Sequence, residues 1–127
     1  MNNRKTGDDA EIFVCNVLKK KGHKILQRNF RCRLGEIDIV SLSPADSNGI
    51  RYLVFTEVKF RKSMKAGTPE AAVDYRKQQK ISRVASFYLT RYAGSLDTPV
   101  RFDVASVYIF NNEYKISIIE NAFDYCG

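Results

Sequence analysis

The chain has 127 residues, 44% hydrophobic and 28% charged, with 21 basic against 14 acidic side chains and a formal net charge of +7. That is the size of one domain with a real core, and no apolar run is long enough to span a bilayer. The polar start MNNRKTGDDAE carries no apolar signal segment, so a cytoplasmic protein without membrane attachment is expected. Cys15, Cys32 and Cys126 are scattered and odd in number, which argues against a disulfide framework; with His23 the single histidine, they offer no zinc-ligand spacing either. Cys15 and Cys32 read as small core residues, and the excess of positive charge points to a polyanionic partner.

Residues 1–7 are polar and expected to be loose. A helix is predicted over 8–21, capped by Asp8 or Asp9 and stopped by Gly22, with Ala10, Phe13, Val14, Val17 and Leu18 on its apolar face. At 100° per residue Glu11 falls inside that apolar arc, near Cys15 and Leu18. It reads either as a first-turn carboxylate in a salt bridge or favoured by the helix dipole, or as an acid aimed at a site elsewhere in the fold. Residues 23–30 read as a short strand, followed by a basic turn holding Arg31 and Arg33.

Two hydrophobic runs, 37–42 and 52–60, flank a polar loop with Pro44, Asp46, Asn48 and Gly49, which is the pattern of paired strands. Side chains alternate across a strand, so Asp38 shares a face with Val40 and Leu42, while Leu53, Phe55, Glu57 and Lys59 share one on the second strand. Each strand therefore sets a carboxylate among apolar residues, and Lys59 lies roughly 6–7 Å along from Glu57. An ionised carboxylate buried without a partner costs several kcal/mol, so pairing or metal binding is expected. Two carboxylates projecting from one sheet face suit Mg²⁺ or Mn²⁺, which would lower the pKa of a bound water; the lysine could stabilise charge developing on a phosphate. Glu36 points to the other face and reads as structural or surface.

Residues 61–67 are basic and loop-like, and Thr68-Pro69-Glu70 looks like a helix start. A long helix is predicted over 74–92 with Ile81, Val84, Ala85, Tyr88, Leu89 and Tyr92 on one face and Lys77 continuing the stripe. Arg76, Lys80 and Arg83 form a basic stripe that is either solvated surface or, with Arg31, Arg33, Arg61, Lys62 and Lys65, a phosphate-binding surface. Tyr75, Tyr88 and Tyr92 read as core and rim residues ahead of base-stacking platforms, and Phe60 equally as a strand residue or a base-stacking platform. Strands are predicted over 101–110 and 114–119, joined by the tight turn Asn111-Asn112-Glu113; Asp103 reads as a buried hydrogen-bonding residue. The order gives a single α/β domain over 1–127 with a mixed sheet and helices packed on it.

These motifs resemble the YraN-like family of small bacterial proteins within the PD-(D/E)xK nuclease superfamily. The resemblance covers almost the whole chain. It is carried by Gly7, Glu11, Leu18 and Gly22, by Arg28-Asn29 with Gly35-Glu36-Ile37-Asp38, and by Glu57-Val58-Lys59 with Arg61. Lys77-Gln78, Ala85, Leu89, Arg101-Phe102-Asp103 and Asn121-Ala122-Phe123 complete it. It implies a restriction-endonuclease-like fold, a central mixed β-sheet flanked by α-helices, similar to archaeal Holliday-junction resolvases. It also implies that Asp38 and Glu57, joined by the Val58 carbonyl, hold Mg²⁺ or Mn²⁺. Lys59 would be the catalytic lysine, Glu11 an accessory carboxylate near the metal, and Lys77 or Gln78 would assist or contact phosphate. Ile37 stands where the superfamily name has proline, and Val14 where the family has a small residue. The expected activity is metal-dependent hydrolysis of DNA phosphodiester bonds, on branched or repair-associated DNA; the alternatives are a nucleic-acid-binding module with the same fold and no cleavage, and an interaction protein of a DNA-processing complex. Related resolvases act as dimers, which extends the expectation to a homodimer, although no stretch announces an interface.

Overall fold

The computed structural model of the chain describes residues 3–61, 73–93 and 98–127. Helix α1 (Asn3–Lys20) starts earlier than its sequence suggests: residues 3–7 are helical, and Asp8 and Asp9 are exposed positions inside the helix, not its cap. A capping residue must leave helical geometry, and the preceding turn gains more backbone hydrogen bonds than one cap supplies. Gly7 weakens this start by roughly 1 kcal/mol relative to alanine, and a Cβ there would meet nothing within 4 Å. The stop at Gly22 is as expected: it sits at φ +94°, and the His23 amide closes onto the Leu18 carbonyl at 3.0 Å.

Among the described residues five strands follow the helix: β1 (Lys24–Cys32), β2 (Gly35–Leu42), β3 (Leu53–Arg61), β4 (Val100–Phe110) and β5 (Glu113–Phe123). They lie in the order β1-β2-β3-β4-β5, antiparallel except for the parallel pair β3–β4. A parallel neighbour requires a crossover, and this one carries α2 (Tyr75–Tyr88) followed by a π-helical stretch, Leu89–Ala93. Asp74 caps α2 by accepting the Lys77 amide at 2.9 Å. The sequence predicts one continuous helix to 92; the change to π winding at Leu89 is not encoded in its apolar spacing. The proposed helix start at Thr68-Pro69-Glu70 lies outside the described residues.

Alternation along the strands splits the core in two. On one face Phe30, Val40, Phe55, Phe102 and Val104 pack beneath α2 through Ile81, Val84, Ala85 and Tyr88. On the other, Ile39, Ala105 and Val107 receive Ala10, Val14 and Leu18 of α1, with Val58 and Phe60 at the rim. Phe60 is thus a packing residue. The helix on each face gives a three-layer α/β/α arrangement. Among the described residues, no helix is long and apolar enough to cross a membrane.

Two strands end differently from their sequence signals. β1 runs on to Cys32, and β5 reaches Phe123 because a bulge opposite Phe102–Val104 is bridged by Asp103, whose Oδ1 accepts the Asn121 amide at 3.0 Å with Asn121 at φ +52°. Asp103, 1% exposed, is also gripped by Arg101 through two hydrogen bonds of 2.9 and 3.0 Å. Its predicted hydrogen-bonding role is borne out.

Candidate active site at the parting of two strands

The β2–β3 ladder ends at the pair Ile39–Thr56, and the next residues on each strand are Asp38 and Glu57. Beyond that point the Asp38 side chain takes over from the backbone: its Oδ2 accepts the Val58 amide at 2.8 Å. Glu57 follows Phe55 on the α2 face by alternation. It is 7% exposed, and its Oε1 lies 3.2 Å from Lys59 Nζ and 3.7 Å from Lys77 Nζ. Lys59 comes from the same strand two residues on, and Lys77 from the first turn of α2, where the Asp74 cap fixes it.

Burial pushes the Asp38 carboxyl up from its ordinary 3.8 to about 7; the charge of Glu57 adds to this, the Val58 amide opposes it, and Glu11 and Glu36 contribute further repulsion. Glu11 reaches this environment from α1, on the opposite sheet face. Its Oε1 is buried without a hydrogen-bond partner, and burial raises its pKa, moderated by the Arg28 charge and then raised further by Asp8. Asp38 therefore lies within the field of both Glu57 and Glu11, although among the described residues no three His, Cys, Asp or Glu groups form a ready metal cluster. Gln78 turns elsewhere: its Nε2 donates to the Val73 carbonyl at 3.1 Å, holding the entry to α2.

Gly35 explains why the turn before Asp38 can approach α2. It sits at φ +144°, and a Cβ there would meet Lys80 Cε at 3.0 Å and Val84 Cγ2 at 3.2 Å. The close approach leaves a groove of about 290 Å³ lined by Arg31, Glu36, Lys77 and Lys80. Arg31 pairs with Glu36 at 3.1 Å, both well exposed. Arg33, Arg76, Lys80 and Arg83 are exposed and Arg61 is half-buried, whereas Lys62 and Lys65 lie outside the described residues. Arg91, which no motif in the sequence singles out, lies with Arg31, Arg33 and Tyr92 around a second groove; its position directly before Tyr92 at a helix end is the signal the sequence offers. Arg28, a residue of the Arg28-Asn29 motif, bears with its charge on both Glu11 and Cys15.

Fold and site together define an α/β protein whose mixed sheet presents a carboxylate pair, flanked by two lysines, where two central strands part. The chain belongs to the uncharacterised protein family UPF0102, whose profile matches residues 10–107; the YraN-like membership expected from the motifs is thereby borne out. It is 45% identical over 127 residues to a UPF0102 protein of Lachnoclostridium phytofermentans, covering 100% of this chain and 99% of that one. A UPF0102 protein of Alkaliphilus oremlandii is 43% identical over 122 residues, covering 95% and 99%. Among solved structures, Pyrococcus furiosus SfsA in complex with Ca²⁺ matches at 12% identity with a TM-score of 0.31, over 94% of this chain and 62% of that one, a likeness too low to carry an argument.

Proposed function

We propose that the chain is a metal-dependent endonuclease of the PD-(D/E)xK type, with a restriction-endonuclease-like fold, hydrolysing DNA phosphodiester bonds. The observation that carries this reading is the pairing of Asp38 with Glu57 beside Lys59 and Lys77 where β2 and β3 part. Asp38 is driven toward holding a proton at neutral pH by burial and by Glu57, a strain that a divalent cation would relieve, and the hard oxygen donors fit Mg²⁺ or Mn²⁺. Asp38, Glu57 and the Val58 carbonyl would hold the ion, with Glu11 as an outlying carboxylate. When bound, it supplies a water of lowered pKa and neutralises phosphate charge.

The remaining roles fall to the chain itself. Lys59 and Lys77 keep two ammonium groups where negative charge grows on the phosphate as the water oxygen bonds to phosphorus and the ester oxygen leaves with a proton. Val58 fixes Asp38 through its amide, and the Asp74 cap fixes Lys77. The basic groove supplies contacts to phosphates on either side of the scissile bond. A non-cleaving nucleic-acid-binding module is the second reading, favoured by the basic side chains that line both grooves.

Incubation with linear, nicked and four-way-junction DNA in Mg²⁺ or Mn²⁺ separates the two. Chelator-sensitive cleavage by wild type, lost in Asp38→Asn and Glu57→Gln, is the expected result. Cleavage retained by both variants would sink the nuclease reading, and salt-dependent binding without cleavage in any metal would favour the binding module.

A further inference from the structure

We propose that the groove between the end of β1 and the π-helical end of α2 receives an unpaired stretch of nucleic acid, one base stacking on Tyr92 while Arg31, Arg33 and Arg91 hold the adjoining phosphates. The groove encloses about 550 Å³; three of its seven lining residues are arginines and none is acidic. Folding leaves Tyr92 58% exposed, yet its ring is not loose. It stands edge-on to Phe30 at 5.8 Å and 90°, and leans on Tyr88 at 5.0 Å. An aromatic face that is exposed but already ordered loses little further freedom when a base covers it.

The cations suit the phosphates. The Arg91 guanidinium lies over the Phe87 ring, 5.8 Å from its centroid, which orients a planar donor along the groove. Arg31 has a competing partner in Glu36, but both side chains are more than half exposed, so that pair yields readily to a phosphate. Arg31 and Cys32 also line the neighbouring groove with Lys77 and Lys80, and Lys77 lies 3.7 Å from Glu57. A positive track therefore runs from the carboxylate pair to Tyr92. In a duplex the base faces are buried in the stack, so a ring presented this way is open only to an unpaired base.

The substrate class that follows is nucleic acid with a single-stranded segment beside the bond acted on; its orientation toward Glu57 rests on the nuclease reading, whereas binding in the groove does not.

The chain has no tryptophan, so Tyr92→Trp introduces a single indole as a reporter. Titration with a short oligothymidylate, and with the same strand in a duplex, is done in chelator, where metal-dependent cleavage is silent. The single strand should quench the indole and the duplex should not. Read by the anisotropy of a dye-labelled strand, Tyr92→Ala should weaken single-strand binding roughly 5- to 150-fold, the range for one base–aromatic stack, while Tyr92→Phe retains it. Arg33→Glu with Arg91→Glu, both at the surface, should weaken binding and flatten the slope of log affinity against log salt by about 1 to 2. No quenching by the single strand, equal quenching by duplex, or single-strand binding unchanged in Tyr92→Ala and in the arginine pair would overturn the proposal. Absence of nuclease activity would leave these outcomes intact, and absence of quenching would leave the cleavage test intact.

Discussion

Replacing Asp38 by asparagine should stabilise the protein at alkaline pH. Asparagine keeps the shape of the side chain and an oxygen to accept the Val58 amide, now 2.8 Å from Oδ2. What it removes is a charge that burial, and then Glu57, oppose. The folded-state value of about 7 lies above the ordinary 3.8, so between these limits the folded protein holds a proton that the unfolded chain has released. Stability contributed by this group therefore falls as pH rises through that window, and the deficit is complete above about pH 7. The gap corresponds to a ceiling of about 4 kcal/mol at roughly 1.4 kcal/mol per pH unit. Relaxation and water entry around a half-buried carboxylate reduce this, and about 2 kcal/mol is expected. Urea unfolding followed by far-UV circular dichroism, in chelator, at about pH 8 and about pH 4.5, gives the comparison. Asp38→Asn should be the more stable protein at the higher pH, and most of its advantage should vanish at the lower. A variant no more stable than wild type at about pH 8 would refute the reasoning.

Glu57 is held by two lysines, at 3.2 and 3.7 Å. Lys59→Met or Lys77→Met alone should cost under about 1 kcal/mol, because the other cation remains. The double variant should cost about 3 kcal/mol, by leaving a buried carboxylate unpaired; strictly additive effects in urea unfolding would count against shared pairing. Arg101→Met removes both guanidinium hydrogen bonds from Asp103, which is 1% exposed, leaving the Asn121 amide but no cation beside its charge, and should lower stability by about 3–5 kcal/mol. Adding Asp103→Asn should recover part of that loss in thermal unfolding, and no recovery would mean the charge is not what is being left unpaired.

The carboxylate pair is readable in the sequence because strand alternation is a local rule: Asp38 and Glu57 each fall among apolar neighbours with period two. The Asp74 cap and the Gly22 stop are local in the same way. The bond from Asp38 to Val58 is not, since it depends on the register of strands joined by a ten-residue loop and on where that ladder ends. Lys77 reaches Glu57 only because α2 packs across the α2-side face, which helical spacing alone does not orient. The extension of β5 depends on Asp103 bridging a bulge across two strands. At the N-terminus the local signal pointed the wrong way: Asp8 and Asp9 are good capping residues, but they lie within a helix that starts at Asn3. Tyr92 could be placed on the rim by periodicity, whereas its fixed edge-on stance against Phe30 comes from the tertiary fold.

The bond between Asp38 and the Val58 amide also makes the site report on itself. That amide is sheltered by a side chain instead of by a backbone carbonyl across the ladder, so whatever draws the carboxylate away also bares the amide. Hydrogen exchange at Val58 would then rise and fall with the orientation of Asp38 while Ile39 and Thr56, one step along, stay protected by ordinary pairing. One backbone proton in the central strand thus acts as a built-in gauge of the carboxylate's position, readable in the intact protein without any substrate.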